Sequence, residues 1–275
     1  MLDEEQRKEK ERQDDLAKLR GLRPIDDDFM RCMFKDNVPL VQFVLRILTE
    51  KPDLTVENLE TQKDFKRLAG ARSIVLDVYA SDSDNRKYDI EVQRADNGAD
   101  QFRARYHSSC MDVENLHSGQ DFSELPATYC IFITENDIFH KGKPFYRIER
   151  VNLDEGGLFH DDARILYING AYRGDSDIGR LMHDFCCWNP VEMNFPLMRE
   201  AARYYKENPK GVLIMSKVFE ETRREAEYQA KIDIAKNLIA IGTMSLNMIA
   251  SATMLPLETI QNLSRQKPAI TPSIS

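Results

Sequence analysis

The sequence has little that would mark a secreted, membrane-spanning or nucleotide-driven protein. Its five cysteines, Cys32, Cys110, Cys130, Cys186 and Cys187, form no CxxC pair and no ladder of spaced pairs. Reduced thiols in a cytoplasmic protein are expected, with the vicinal Cys186-Cys187 pair inert. No GxxxxGK[ST] loop is present, which excludes a nucleotide-driven motor in this chain. The first twenty residues have no apolar core, so no secretory leader is expected there. The longest charge-free run, residues 237–257, could span a bilayer by length. It carries Asn237, Thr243, Ser245, Asn247, Ser251 and Thr253 with a glycine and a proline, so no membrane partner is expected. There is no basic excess either: 38 Lys and Arg face 46 Asp and Glu, a net charge of −8. Broad non-specific affinity for nucleic acid is not expected, but a local basic groove is compatible with that balance.

What is present can bury a large core: 275 residues, 42% hydrophobic and 31% charged. Residues 1–22 alternate acid and base and read as a solvated helix or a disordered arm. Residues 23–210 read as one domain. It begins with two helical segments, capped near Asp26 to Asp28, broken near Pro39 and closed by Pro52. Two strands follow within residues 73–94, then a helix with Phe102, Tyr106, Cys110, Val113 and Leu116 at helical spacing, ending at Gly119. Residues 127–135, 145–153 and 163–170 have strand length and β-favouring composition. Residues 177–187 and 196–208 look helical. Residues 211–275 read as a helical extension: a long charged helix from about Val212 to Ile241, a helix capped by Ser245, a helix opened by Pro256, and a frayed tail. The order predicts a mixed α/β layer with helices at the C-terminal end.

The stretch SIVLDVYASDSDNRKYDIEVQR, residues 73–94, sets the functional question. Folding the two strands about Asp84 places Asp77 opposite Glu91, Leu76 opposite Val92 and Val75 opposite Gln93, which matches the apolar faces. Two carboxylates so placed repel each other. Neither strand supplies a lysine or arginine on that face, since Arg94 falls on the other. Three readings are open. The acids hold a divalent cation, Mg²⁺ or Mn²⁺; they lie on a solvated face; or they form a metal-free dyad of shifted pKa.

The LD-x13-EVQ pattern resembles the signature of PD-(D/E)XK nucleases, in the branch of transposase-associated, recombination-promoting nucleases of bacteria. DDDFMRCMF, ARSIVLDVYASDSDNRKYDIEVQR, QFRARYHSSC and DIGRLMHDFCCWNPVEMNFPLMREAARYYKEN resemble successive blocks of that family over roughly residues 26–210. Two positions depart from it: Leu76 stands where the family has proline, and Gln93 stands in the lysine position, a variant that this branch often shows. The resemblance implies a restriction-endonuclease-like mixed sheet flanked by helices. It also implies Mg²⁺-dependent, or Mn²⁺-dependent, hydrolysis of DNA phosphodiester bonds. Asp77 and Glu91 would then be metal ligands with the Val92 backbone carbonyl, Gln93 would position the attacking water, and an acid of the first helix would complete the set, Asp28 before Asp27. Asp28 reads equally as a helix-capping acid. Arg103 and Tyr106, three apart on one helix, are candidates for holding a substrate phosphate, and a plain surface role is the competing reading.

Other features read as structural. His183 and Cys186 are three apart but lack further ligands for zinc. His107, His117, His140 and His160 are scattered and suggest no nucleophile assembly. The stripe Arg199, Arg203, Lys206 and Lys210 reads as a solvated face, with tracking of a DNA backbone as the alternative. Residues 242–263 loosely resemble a helix-turn-helix without basic residues on the second helix. That favours packing or homo-oligomerisation over base reading.

Overall fold

The structure is a computed structural model that describes residues 4–65, 74–94 and 96–265. The expected tail after residue 265 and the first residue of the quoted stretch lie outside them. The helices are α1 (Glu4–Gly21), α2 (Asp27–Phe34), α3 (Val38–Thr49), α4 (Gln101–Asn115), α5 (Asp177–Cys186), α6 (Pro196–Glu207), α7 (Pro209–Ile241), α8 (Leu246–Thr253) and α9 (Leu257–Arg265). The strands are β1 (Val56–Phe65), β2 (Ile74–Asp82), β3 (Lys87–Gln93), β4 (Thr128–Thr134), β5 (Phe145–Ile148), β6 (Val151–Asn152), β7 (Gly157–Leu158) and β8 (Ala163–Asn169). The chain divides into two compact units between Met215 and Ser216, inside α7.

The first unit is built on a six-stranded sheet in the order β1-β2-β3-β4-β8-β5. β1, β2 and β3 are antiparallel, β3, β4 and β8 run parallel, and β5 returns antiparallel to β8. α2 and α3 pack on one face, with α5 and α6 against them, and α4 covers the other. α2 starts at Asp26 with Asp27 and Asp28 in its first turn, where the helix dipole favours negative charge. Its inner side buries Phe29, Met30, Met33 and Phe34, at about 1.5–3 kcal/mol per large apolar side chain, with Phe29 against Tyr205 of α6 and Phe34 against Phe185 of α5. The break before α3 is made by Asn37, whose side chain accepts from the Leu40 N–H, with Pro39 in the first turn.

The β2–β3 turn is organised by Asp82 rather than by the residue at its centre. Asp82 Oδ1 accepts from the N–H groups of Asp84 and Arg86, and its Oδ2 accepts from the Tyr88 hydroxyl and the Arg86 guanidinium. Four donors let a carboxylate sit 2% exposed. The turn sets the register Val78↔Ile90, Tyr79↔Asp89, Ala80↔Tyr88 and Ser81↔Lys87, which is the expected fold-over about Asp84.

Several expectations are corrected. β1 was not anticipated: VENLETQKDF is too charged to read as a strand. It lies at the sheet edge, where charge discourages further pairing, and a bulge follows Val56. The single strand expected over residues 145–153 divides into β5 and β6. Glu149 pairs with Arg164 and Arg150 with Asp161 at the division, and β6 turns through Gly156, at φ 77°, to meet β7. α4 is rotated from the expected face. Cys110 is buried and Tyr106 half-buried as expected, but Phe102 and Val113 are 74% and 64% exposed, whereas Ala104, His107, Ser108 and Met111 are buried. Those four follow the same helical period, and the small residues among them allow close approach to β4. The basic stripe is solvated only in part: Arg203 and Lys210 are exposed, while Arg199 and Lys206 are half-buried. Lys206 Nζ donates to the carbonyls of Arg20, Leu22 and Trp188, Arg199 donates to the Met193 carbonyl, and Arg203 pairs with Glu207. Burial pushes the Lys206 pKa down to about 8.

In the second unit, Ser245 caps α8 and the turn after it passes through Met254 in the left-handed region. Ile232, Ala235, Ile249, Leu255 and Ile260 form its buried cluster. Among the described residues, no helix is long and apolar enough to cross a membrane.

Candidate active site

The ladder between β2 and β3 stops at Val78↔Ile90, one pair short of the two acids. The expected pairs Asp77–Glu91, Leu76–Val92 and Val75–Gln93 are therefore not ladder pairs. Side chains take over where the strands part. The Asp77 N–H donates to Glu91 Oε1 at 3.1 Å, and the Val92 N–H donates to Asp77 Oδ2 at 3.4 Å. Each acid thus holds a backbone donor that the sheet leaves unpaired. The Gln93 carbonyl accepts from Glu135 N–H on the β4 side. Alternation along the strand turns the Val92 N–H and C=O the other way, into the gap beside Asp77.

Burial dominates the electrostatics of the pair. Glu91 is 1% exposed and Asp77 half-buried. Burial pushes the Asp77 carboxyl well above the usual range, and the charges of Glu91 and Asp27 push it further. Burial likewise raises Glu91, reinforced by Asp89 and opposed by His107 and Arg103.

Cations do reach the pair, from helices rather than strands. Arg103 NH2 stands 3.4 Å from Glu91 Oε2, and α4 is aimed there by Asp100, whose side chain accepts from the Phe102 and Arg103 N–H groups. Arg103 Nε is buried with no hydrogen-bond partner among the described residues. Arg31 of α2 pairs with Asp27 at 3.1 Å and with Asp28, and Asp77 adds to its field. The charge of Asp27 on α2 bears on Asp77 and Arg103. Tyr106 is half-buried against the apolar cluster under α4. Gln93 is half-buried at the rim, and its amide oxygen lies over Gly98, where a methyl group would run into it.

Asp89, His107 and Cys130 also meet here, which corrects the reading of His107 as one of several scattered histidines. His107 Nδ1 lies 3.3 Å from Asp89 Oδ2 and 3.8 Å from Glu91 Oε1. The period-two spacing of Asp89 and Glu91 was a usable signal, because it puts both on one face of β3. The approach of α4 was not legible. His183 instead contacts Asp184, a buried acid that accepts from the N–H groups of Asn194 and Phe195 at the start of α6.

The donor set fits a hard dication: two crowded carboxylates, one buried and one half-buried, with cationic side chains at the edge. No curated protein and no solved structure matches this chain. Residues 35–170 match the family model described as PD-(D/E)XK nuclease family transposase. That span holds Asp77, Glu91 and Gln93 on its mixed sheet, and residues 35–170 are thus a PD-(D/E)XK nuclease family transposase domain of restriction-endonuclease-like α/β fold.

Proposed function

We propose that the chain is a metal-dependent DNA endonuclease that hydrolyses phosphodiester bonds, acting in recombination or on mobile elements in the cytoplasm. The observation that carries this reading is the junction of Asp77 and Glu91 across the parted strands, where burial and neighbouring acids raise the pKa of both. Asp77, Glu91 and the Val92 carbonyl would hold Mg²⁺ or Mn²⁺, with Asp27 or Asp28 of α2 contributing from the side. When bound, such an ion polarises a phosphoryl oxygen and lowers the pKa of a coordinated water. Gln93 orients the attacking water through its amide and, being neutral, cannot stabilise charge as lysine would. Arg103 holds Glu91 in place and presents its remaining N–H groups to a phosphate, with Tyr106 beside it on α4. The exposed Ile234, Ile241, Met248 and Met254 of the second unit support self-association through the C-terminal helices.

A second reading is a DNA-binding module that cleaves poorly, favoured by Gln93 in the lysine position and by Arg103 on Glu91. Cleavage of supercoiled plasmid with Mg²⁺ or Mn²⁺ separates the two. The nuclease reading expects nicking or linearisation by the wild type and loss in Asp77→Ala and Glu91→Ala. Equal inertness of all three, with DNA binding retained, favours the binding module.

A further inference from the structure

Two residues before Glu91 on the same face of β3, Asp89 faces His107 of α4 and Cys130 of β4. All three residues are at most 2% exposed. His107 Nδ1 is 3.3 Å and Cys130 Sγ 3.6 Å from Asp89 Oδ2, and one ligand atom from each residue lies within 4.8 Å of the others. Asp89 Oδ1 is buried with no hydrogen-bond partner among the described residues. A buried carboxylate oxygen left without a partner is costly.

We propose that Asp89, His107 and Cys130 form a second cation site, distinct from the Asp77–Glu91 pair, that takes Zn²⁺ or Co²⁺ rather than Mg²⁺. The donor types favour it: a thiolate and an imidazole select borderline-soft ions, whereas Mg²⁺ prefers oxygen and keeps several waters that this enclosed cluster does not suit. The spacing favours it too. Zinc bonds of about 2.0 Å to nitrogen or oxygen and about 2.3 Å to sulfur give tetrahedral ligand edges of roughly 3.3–3.6 Å. The two Asp89 separations, 3.3 and 3.6 Å, lie in that range. A dication balanced by one carboxylate and one thiolate also leaves a buried centre without net charge. Three protein ligands from β3, β4 and α4 pin the helix that carries Arg103 to the sheet, so the ion acts as a clasp behind the site.

The test uses the full chain expressed in zinc-supplemented medium. After dialysis against excess Mg²⁺, about one equivalent of zinc is expected to remain, with one sulfur in its coordination shell by X-ray absorption. Reloading with Co²⁺ is expected to give a thiolate-to-cobalt charge-transfer band that Cys130→Ser abolishes. Asp77→Ala, which disables the hard-ion pair, is expected to leave the band intact. None of these readouts depends on cleavage, so the clasp and the nuclease reading fail separately. A wild type that holds no zinc and gives no cobalt band overturns the proposal and leaves a hydrogen-bonded cluster only. So does a zinc shell without sulfur or with several, or a band that survives Cys130→Ser. The wild-type measurements decide the matter even if Cys130→Ser fails to fold.

Discussion

The backbone N–H of Asp77 donates to Glu91 Oε1 at 3.1 Å, across a point where the β2–β3 ladder has already ended. The link places one acid on each side of a gap in the sheet. It also means that each acid serves the fold, by satisfying a buried donor, before it serves any ligand.

The first prediction concerns pH and metal. Burial raises the pKa of both acids above their unfolded values, so the folded state holds more protons than the unfolded one. Stability from this pair is then present below the ordinary carboxylate range and is lost as pH rises through the raised values. Metal-free protein is expected to show a falling melting temperature between about pH 5 and about pH 9, with Mg²⁺ or Mn²⁺ restoring more at the alkaline end. Asp77→Asn with Glu91→Gln is expected to flatten both trends, as differential scanning fluorimetry would read.

Arg103 is the cation in contact with Glu91, and its Nε has no other partner among the described residues. Arg103→Ala is expected to lower kcat/KM on DNA by about 10- to 100-fold, a loss of about 1.4–2.7 kcal/mol of transition-state binding. Arg103→Lys is expected to recover only part of it, because an ammonium cannot reach Glu91 and a phosphate in one fork. Steady-state cleavage of a labelled duplex gives both numbers, and full recovery by lysine would count against the shared-contact role.

Gln93 depends on the small size of Gly98. Adding a methyl group by Gly98→Ala is expected to displace the Gln93 amide and slow cleavage by about tenfold, while metal affinity stays within about twofold. Single-turnover rates together with Mn²⁺ titration separate positioning of water from loss of metal.

Lys206 gathers three carbonyls from the end of α1, the α1–α2 link and the segment before α6. Lys206→Ala leaves them unpaired and is expected to cost about 2–3 kcal/mol of stability by urea unfolding. A cost near zero would return the residue to the solvated face that the sequence suggested.

The strands, the helix breaks and the register about Asp84 were legible because they rest on short-range chemistry: alternation, caps, prolines and a polar turn. β1 was not, because an edge strand can afford charge on both faces. The α4 face was misread because Phe102 and Val113 are larger than the Ala104 and Ser108 that make the contact. Asp77 and Glu91 stood out through like charge in β-favouring runs. His107, Cys130 and Arg31 did not, since they reach the site only by helix docking and by parallel pairing across 41 residues of chain.

The central claim is that Asp77 and Glu91 share one hard cation. Anomalous difference density from crystals soaked in Mn²⁺ tests it most directly. A peak is expected between the two carboxylates, near the Val92 carbonyl, that vanishes in Asp77→Ala. Full-length crystals with no peak there, or with manganese bound only elsewhere, would contradict it.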